Sequence, residues 1–158
     1  LETTKVIVFK ERNEEYAISV EHVISIERPM EVTPIPHLPE YMAGMVKIRG
    51  DLVPVIDIHS VFYGNRTPES EKNRLILIKT DAFPVALFVE EAKELLEANP
   101  EQIRQVGLLA YKKTAYFTHV IHRDDRLITV LDPIGFFRSL DGMREIYDYM
   151  EQELHPLS

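Results

Sequence analysis

The chain has 158 residues, 45% of them hydrophobic, which is enough to build a core for one domain or two small lobes. Its 26 acidic and 18 basic residues give a formal net charge of -8, and no Lys or Arg stripe could neutralise phosphates, so nucleic acid is not an expected partner. Cysteine is absent, which removes disulfides, thiolate metal sites and a cysteine nucleophile.

The first residues, Leu1 to Lys5, lead straight into an apolar run without the basic start and apolar stretch of a signal peptide. Apolar runs stay far below the roughly 20 residues needed to cross a bilayer, so a cytoplasmic location is expected. Residues 6–9 and 16–20 are β-branched or aromatic and flank the polar segment Glu11 to Glu14, a hairpin pattern. The pattern recurs at 45–49 and 53–57 around Gly50-Asp51, at 75–79 and 84–89 around Asp81, and at 117–122 and 127–131 around Asp124-Asp125. Pro34, Pro36 and Pro39 keep residues 29–40 from being helical, which predicts an extended crossover. Short helical pieces are expected at 20–24, 58–63, 90–94 and 133–139. A longer helix is expected over 141–154, with Asp141 as N-cap, a stripe of Met143, Ile146, Tyr147, Met150 and Leu154, and Pro156 as its stop.

The two halves of the chain, about 5–65 and about 74–138, resemble each other. Val6 to Lys10 lies over Leu75 to Lys79, and Ala17 to Glu21 over Ala86 to Glu90, both at a shift of 69. Val46 to Arg49 lies over Val120 to Arg123 at 74; one extra residue in the second turn then brings Val53 to Asp57 onto Ile128 to Asp132. The order of blocks is preserved, which predicts an all-β fold of two similar lobes of about 70 residues, with edges closed into barrels.

Chemistry finds little support. No serine stands in a tight Gly-flanked turn, and the six glycines form no phosphate loop. Asp57 and His59 would share a side of a continuing strand, but Asp57 and Asp132 stand at equivalent repeat positions ahead of helical segments and read better as N-caps. His119 and His122 face opposite sides of a strand and lack further ligands of fixed spacing, so no metal is expected. Glu90, Glu91, Glu94 and Glu97 read as a solvated face. Lys47-Ile48-Arg49-Gly50 is of more interest, because it sets a planar five-donor cation at a hairpin mouth, suited to a partner's carboxylate.

The run Tyr16 to Ile26, then Thr33 to Pro36, then Gly44 to Gly50 with Val53 to Asp57, resembles the signature of the CheW chemotaxis coupling family, and the match continues through Val89-Glu90 and Ile128 to Asp132. The resemblance implies two five-stranded SH3-like β-barrels in a single CheW-like domain. It also implies a non-catalytic, cofactor-free adaptor that bridges the cytoplasmic tips of chemoreceptors and the regulatory domain of the histidine kinase CheA. By position it implies partner surfaces at Val23, Ser25, Gly44, Arg49, Gly50, Leu75 and Leu95. Ala86 stands where the family usually has glycine, and Glu90 where it has aspartate. Two other readings stay open here: a CheW-like module of a CheV-type protein without its receiver domain, and a small metal-dependent hydrolase using Asp57, His59 and Glu90.

Overall fold

A computed structural model describes residues 4–106 and 115–154 of the chain. Eleven strands and three α-helices are present among them. In chain order they are β1 (Thr4–Glu11), β2 (Glu14–Ser19), β3 (Val23–Glu27), β4 (Met42–Ile48), β5 (Asp51–Asp57), α1 (Ile58–Tyr63), β6 (Arg74–Ile78), β7 (Val85–Val89), β8 (Glu91–Ala98), β9 (Ile103–Gln105), β10 (Phe117–Arg123), β11 (Arg126–Leu131), α2 (Pro133–Ser139) and α3 (Met143–Leu154). The four expected hairpins are β1–β2, β4–β5, β6–β7 and β10–β11. The first two turn on two residues with positive φ, Arg12 and Asn13 at 50° and 67°, and Arg49 and Gly50 at 52° and 87°, the backbone that matches the twist of the flanking strands.

The strands form two sheets, one ordered β8-β1-β2-β11-β10-β9 and the other β3-β6-β7-β5-β4. The expectation of two consecutive lobes is corrected by this order, because neither sheet is built from one half of the chain. The first hairpin of each half pairs with strands of the other half: β1 with β8 and β2 with β11 in one sheet, β6 with β3 and β7 with β5 in the other. The registers coincide under the repeat. Ile7 faces Leu95 as Ile76 faces Ile26, and Ala17 faces Val130 as Ala86 faces Val55. Even the irregularities correspond, since the ladder slips between Val8 and Phe9 in one sheet and between Val23 and Ser25 in the other. The supposed extra residue in the second turn is absent. Ile48 pairs with Asp51 and Arg123 with Arg126, so the shift is 75 throughout this hairpin and Arg49 corresponds to Asp124, which shares its positive φ.

Alternation on these strands feeds three cores. Val6, Val8, Ala17, Leu96, Ile121 and Ile128 pack inside the six-stranded sheet, and Val46, Ile48, Val53, Val55, Leu75, Leu77 and Ala86 inside the five-stranded one. Phe9, Ile18, Ile56, Ile76, Leu87, Phe136 and Phe137 fill the space between the sheets. Both faces of the hairpin strands are therefore buried, which is why they read as nearly continuous apolar runs. One sheet has six strands rather than five, and neither closes by a ladder among the described residues. Side chains span the first sheet instead, with Arg123 donating to the Glu97 carbonyl at 2.9 Å and Arg126 paired to Glu94.

Asp57 and Asp132 share the same backbone angles and cap α1 and α2 through Ser60 N and Ile134 N. The segment 20–24 is a single 3-10 turn at Val20–His22 followed by β3. The expected helix at 90–94 is wrong. Residues 91–94 open β8, whose pairing with β1 overrides the helix-favouring composition of Glu91 to Ala98. α3 begins one residue after Gly142, whose carbonyl accepts Ile146 N, so Asp141 stands too early to cap it. Met143, Ile146 and Met150 are buried in the inter-sheet core, and Tyr147 packs on Phe83 at 4.9 Å between ring centres. Pro156, the expected stop, lies outside the described residues, as does the Gly107 to Thr114 segment.

Candidate partner-binding surfaces

β3 lies at the end of the five-stranded sheet with one ladder neighbour among the described residues, β6. Because side chains alternate, Ile24 and Ile26 share one side of β3 and are 42% and 41% exposed, while Val23, Ser25 and Glu27 turn the other way and are half-buried. Arg49 comes to this edge from the β4–β5 turn. Its Nη2 stands 3.4 Å from Glu27 Oε2, and two thirds of its side chain is exposed. The result is a short apolar strip ending in a partly engaged guanidinium, with Gly50 open beside it.

The other sheet has the equivalent edge. Among the described residues β8 pairs only with β1, and Leu95, which corresponds to Ile26 under the repeat, is 58% exposed. Here the flanking charges are tied to one another. Glu15 accepts from Lys93 at 2.8 Å and from Arg126 at 3.0 Å, and Arg126 also pairs with Glu94. Burial raises the Glu15 carboxyl, but the Lys93 and Arg126 bonds outweigh it and hold the group below its ordinary value.

Of the residues singled out from sequence, Val23 and Ser25 lie half-buried on β3, Arg49 reaches Glu27 at the end of that strand with Gly50 beside it, and Leu95 stands on the β8 edge. Two cannot present themselves. Leu75 is wholly buried inside the five-stranded sheet, where it backs β3 by pairing with Glu27. Gly44 is buried in β4 with φ at 144°, and an added Cβ would lie 2.2 Å from the Thr33 carbonyl oxygen, so its role is to let the crossover approach. Ile24 and Ile26 were missed. The Val23-Ile24-Ser25-Ile26 alternation was there to see, but nothing in it distinguishes an edge strand from a covered one.

The hydrolase trio does not assemble. Asp57 is consumed by its cap and by Thr67, whose Oγ1 donates to it at 2.7 Å, while His59 turns to Glu11 and Glu90 accepts Arg12 N. Among the described residues no three His, Asp or Glu side chains gather as a metal would need. No helix among them is long and apolar enough to cross a membrane.

A family model for the CheW-like domain matches residues 5–141. The chain belongs to the CheW-like domain family. This CheW-like domain is 29% identical over 129 residues to the chemotaxis protein CheW of Bacillus subtilis, covering 81% of the chain and 83% of that relative. It is 28% identical over 127 residues to the chemotaxis protein CheW of Klebsiella aerogenes, covering 80% and 76%. The crystal structure of the scaffolding protein TtCheW from Thermoanaerobacter tengcongensis has the same fold, with a TM-score of 0.74 at 24% identity over 83% of this chain and 85% of that one. The family consists of non-catalytic scaffold proteins of chemotaxis, and the CheW-like domain described here is one of them. α3 lies beyond the matched span.

Proposed function

We propose that the chain couples the cytoplasmic tips of chemoreceptors to the regulatory domain of the kinase CheA, working in the cytoplasm and joining membrane receptor arrays only through those partners. The observation that carries this reading is the pair of exposed edges, Ile24-Ile26-Arg49 on one sheet and Leu95 on the other, of like build but on different sheets. A body with two docking edges links the states of two partners without any chemistry of its own, because each bound partner biases the affinity or geometry available to the other. Apolar edges with an arginine alongside suit this role, since the buried centre of a protein interface is apolar and arginine is among the residues that dominate its free energy.

The test is a reconstituted mixture of receptor fragment, kinase and this chain, with ATP turnover by the kinase as the readout. Ile26→Asp and Leu95→Asp are each expected to abolish receptor-dependent kinase activity while leaving the chain folded. Receptor control that survives both substitutions would refute the two-edge reading.

A further inference from the structure

Glu11 is the last residue of β1 and is wholly buried. Its Oε2 accepts the backbone N–H of Glu90 at 2.7 Å, and Glu90 returns the contact by accepting the N–H of Arg12 at 2.9 Å. Glu90 is the single residue between β7 and β8, so this clasp holds the point where the chain passes from one sheet to the other. The second oxygen of Glu11, Oε1, stands 3.4 Å from Nδ1 of His59 on α1, directly after β5 of the five-stranded sheet. Both atoms are buried and neither makes a hydrogen bond among the described residues, the 3.4 Å between them being longer than a formed O–H···N bond. A bare carboxylate oxygen facing an unprotonated ring nitrogen would leave two acceptors unsatisfied, whereas one proton between them satisfies both.

The surroundings favour placing that proton on the carboxyl. The charges that act on it are the carboxylates of Glu90 and Asp57, both of the same sign. The guanidinium of the next residue, Arg12, lies over the Tyr63 ring at 4.1 Å. Tyr63 in turn packs edge-on against His59 and places its hydroxyl 3.2 Å from that of Tyr16. Burial pushes the Glu11 carboxyl up to about 8; the Glu90 N–H bond favours the anion, and the Glu90 and Asp57 charges add to the rise.

We propose that Glu11 is a neutral carboxylic acid at neutral pH that donates from Oε1 to His59 Nδ1, and that its ionisation opens this latch between the two sheets. A carboxyl raised in the folded state stabilises the fold in full below its unfolded value of 4.5, and that contribution is lost as pH rises through about 8. The two exposed edges sit on different sheets, so the latch bears on how they are placed; that consequence rests on the coupling reading, whereas the latch is tested on the chain alone.

Carbon-13 NMR of the full chain labelled at glutamate side chains follows the Glu11 carboxyl directly, assigned through its own backbone resonances. The expected result is a midpoint near 8. A midpoint in the ordinary carboxylate range, or a His59 imidazolium facing a Glu11 carboxylate at pH 7, overturns the proposal. In a second arm, thermal unfolding is followed from about pH 6 to about pH 9 for the parent and for Glu11→Gln, whose amide can donate to His59 at every pH. The parent is expected to lose melting temperature more steeply than the variant, and equal slopes overturn the proposal. Should Glu11→Gln fail to fold, the parent's carboxyl titration decides alone.

Discussion

At the scale of single residues, Arg49 carries a sharp test of function against folding. It is the first residue of a two-residue turn with φ at 52°, so its backbone is fixed by the hairpin while two thirds of its side chain meets water. Its ion pair to Glu27, at 3.4 Å, is of the exposed kind that contributes about 0–1 kcal/mol. Arg49→Glu replaces that pair by two facing carboxylates, and the expected loss of folding stability in urea unfolding is about 1 kcal/mol or less. At an interface the same change is expected to cost about 2 kcal/mol or more, because the reversed charge meets whatever acceptor the guanidinium had engaged. The outcome to look for is a folded protein that no longer supports receptor control of the kinase. Arg66→Glu, in the exposed loop after α1, is the matched control. Equal kinase control by parent, Arg49→Glu and Arg66→Glu would remove this turn from the interface.

At the scale of elements, α3 is the piece whose contribution can be isolated. Its Met143, Ile146 and Met150 side chains are buried against the inter-sheet core, each worth about 1.5–3 kcal/mol before the cost of ordering the helix. A chain ending at Leu140 should therefore melt lower by about 5 °C or more, since about 1 kcal/mol corresponds to 2–4 °C for a chain of this size. An unchanged melting temperature would mean that the helix is held in place without stabilising the fold, which would free it for a partner. The stripe on α3 was legible because 3.6-residue spacing survives in any environment, and the hairpins were legible because apolar runs and polar turns alternate sharply. β8 was not. Glu91 to Ala98 has the composition of a helix, and only the edge offered by β1, distant in sequence, makes it a strand. Glu11 was hidden for a similar reason. It sits in the polar run Glu11 to Glu14 and reads as a turn residue, yet β1 continues through it and carries its carboxyl between the sheets.

At the scale of the whole molecule, the exchange of strands between halves sets how the chain can fold. Repeated sequence reads as two lobes in series, because resemblance along a chain carries no information about which copy a strand pairs with. The pairings of Ile7 with Leu95, Ala17 with Val130 and Ile26 with Ile76 join residues far apart in sequence, so both sheets need both halves, and folding should be slow for a chain of this length. A cut between Glu69 and Ser70, in the exposed stretch between α1 and β6, leaves every ladder intact while separating the halves covalently. Residues 1–69 alone carry β1 and β2 without β8 or β11, and β3 to β5 without β6 and β7, so neither sheet core can close and the fragment is expected to lack a cooperative thermal transition as a monomer. Residues 70–158 are left short in the complementary way. Mixed at equal concentration, the two fragments should regain the far-ultraviolet circular dichroism of the intact chain and elute together at its size, with a melting temperature that rises with concentration, as association requires. A fragment that folds cooperatively by itself as a monomer would mean that each half can satisfy its own sheet, and would return the molecule to two lobes in series.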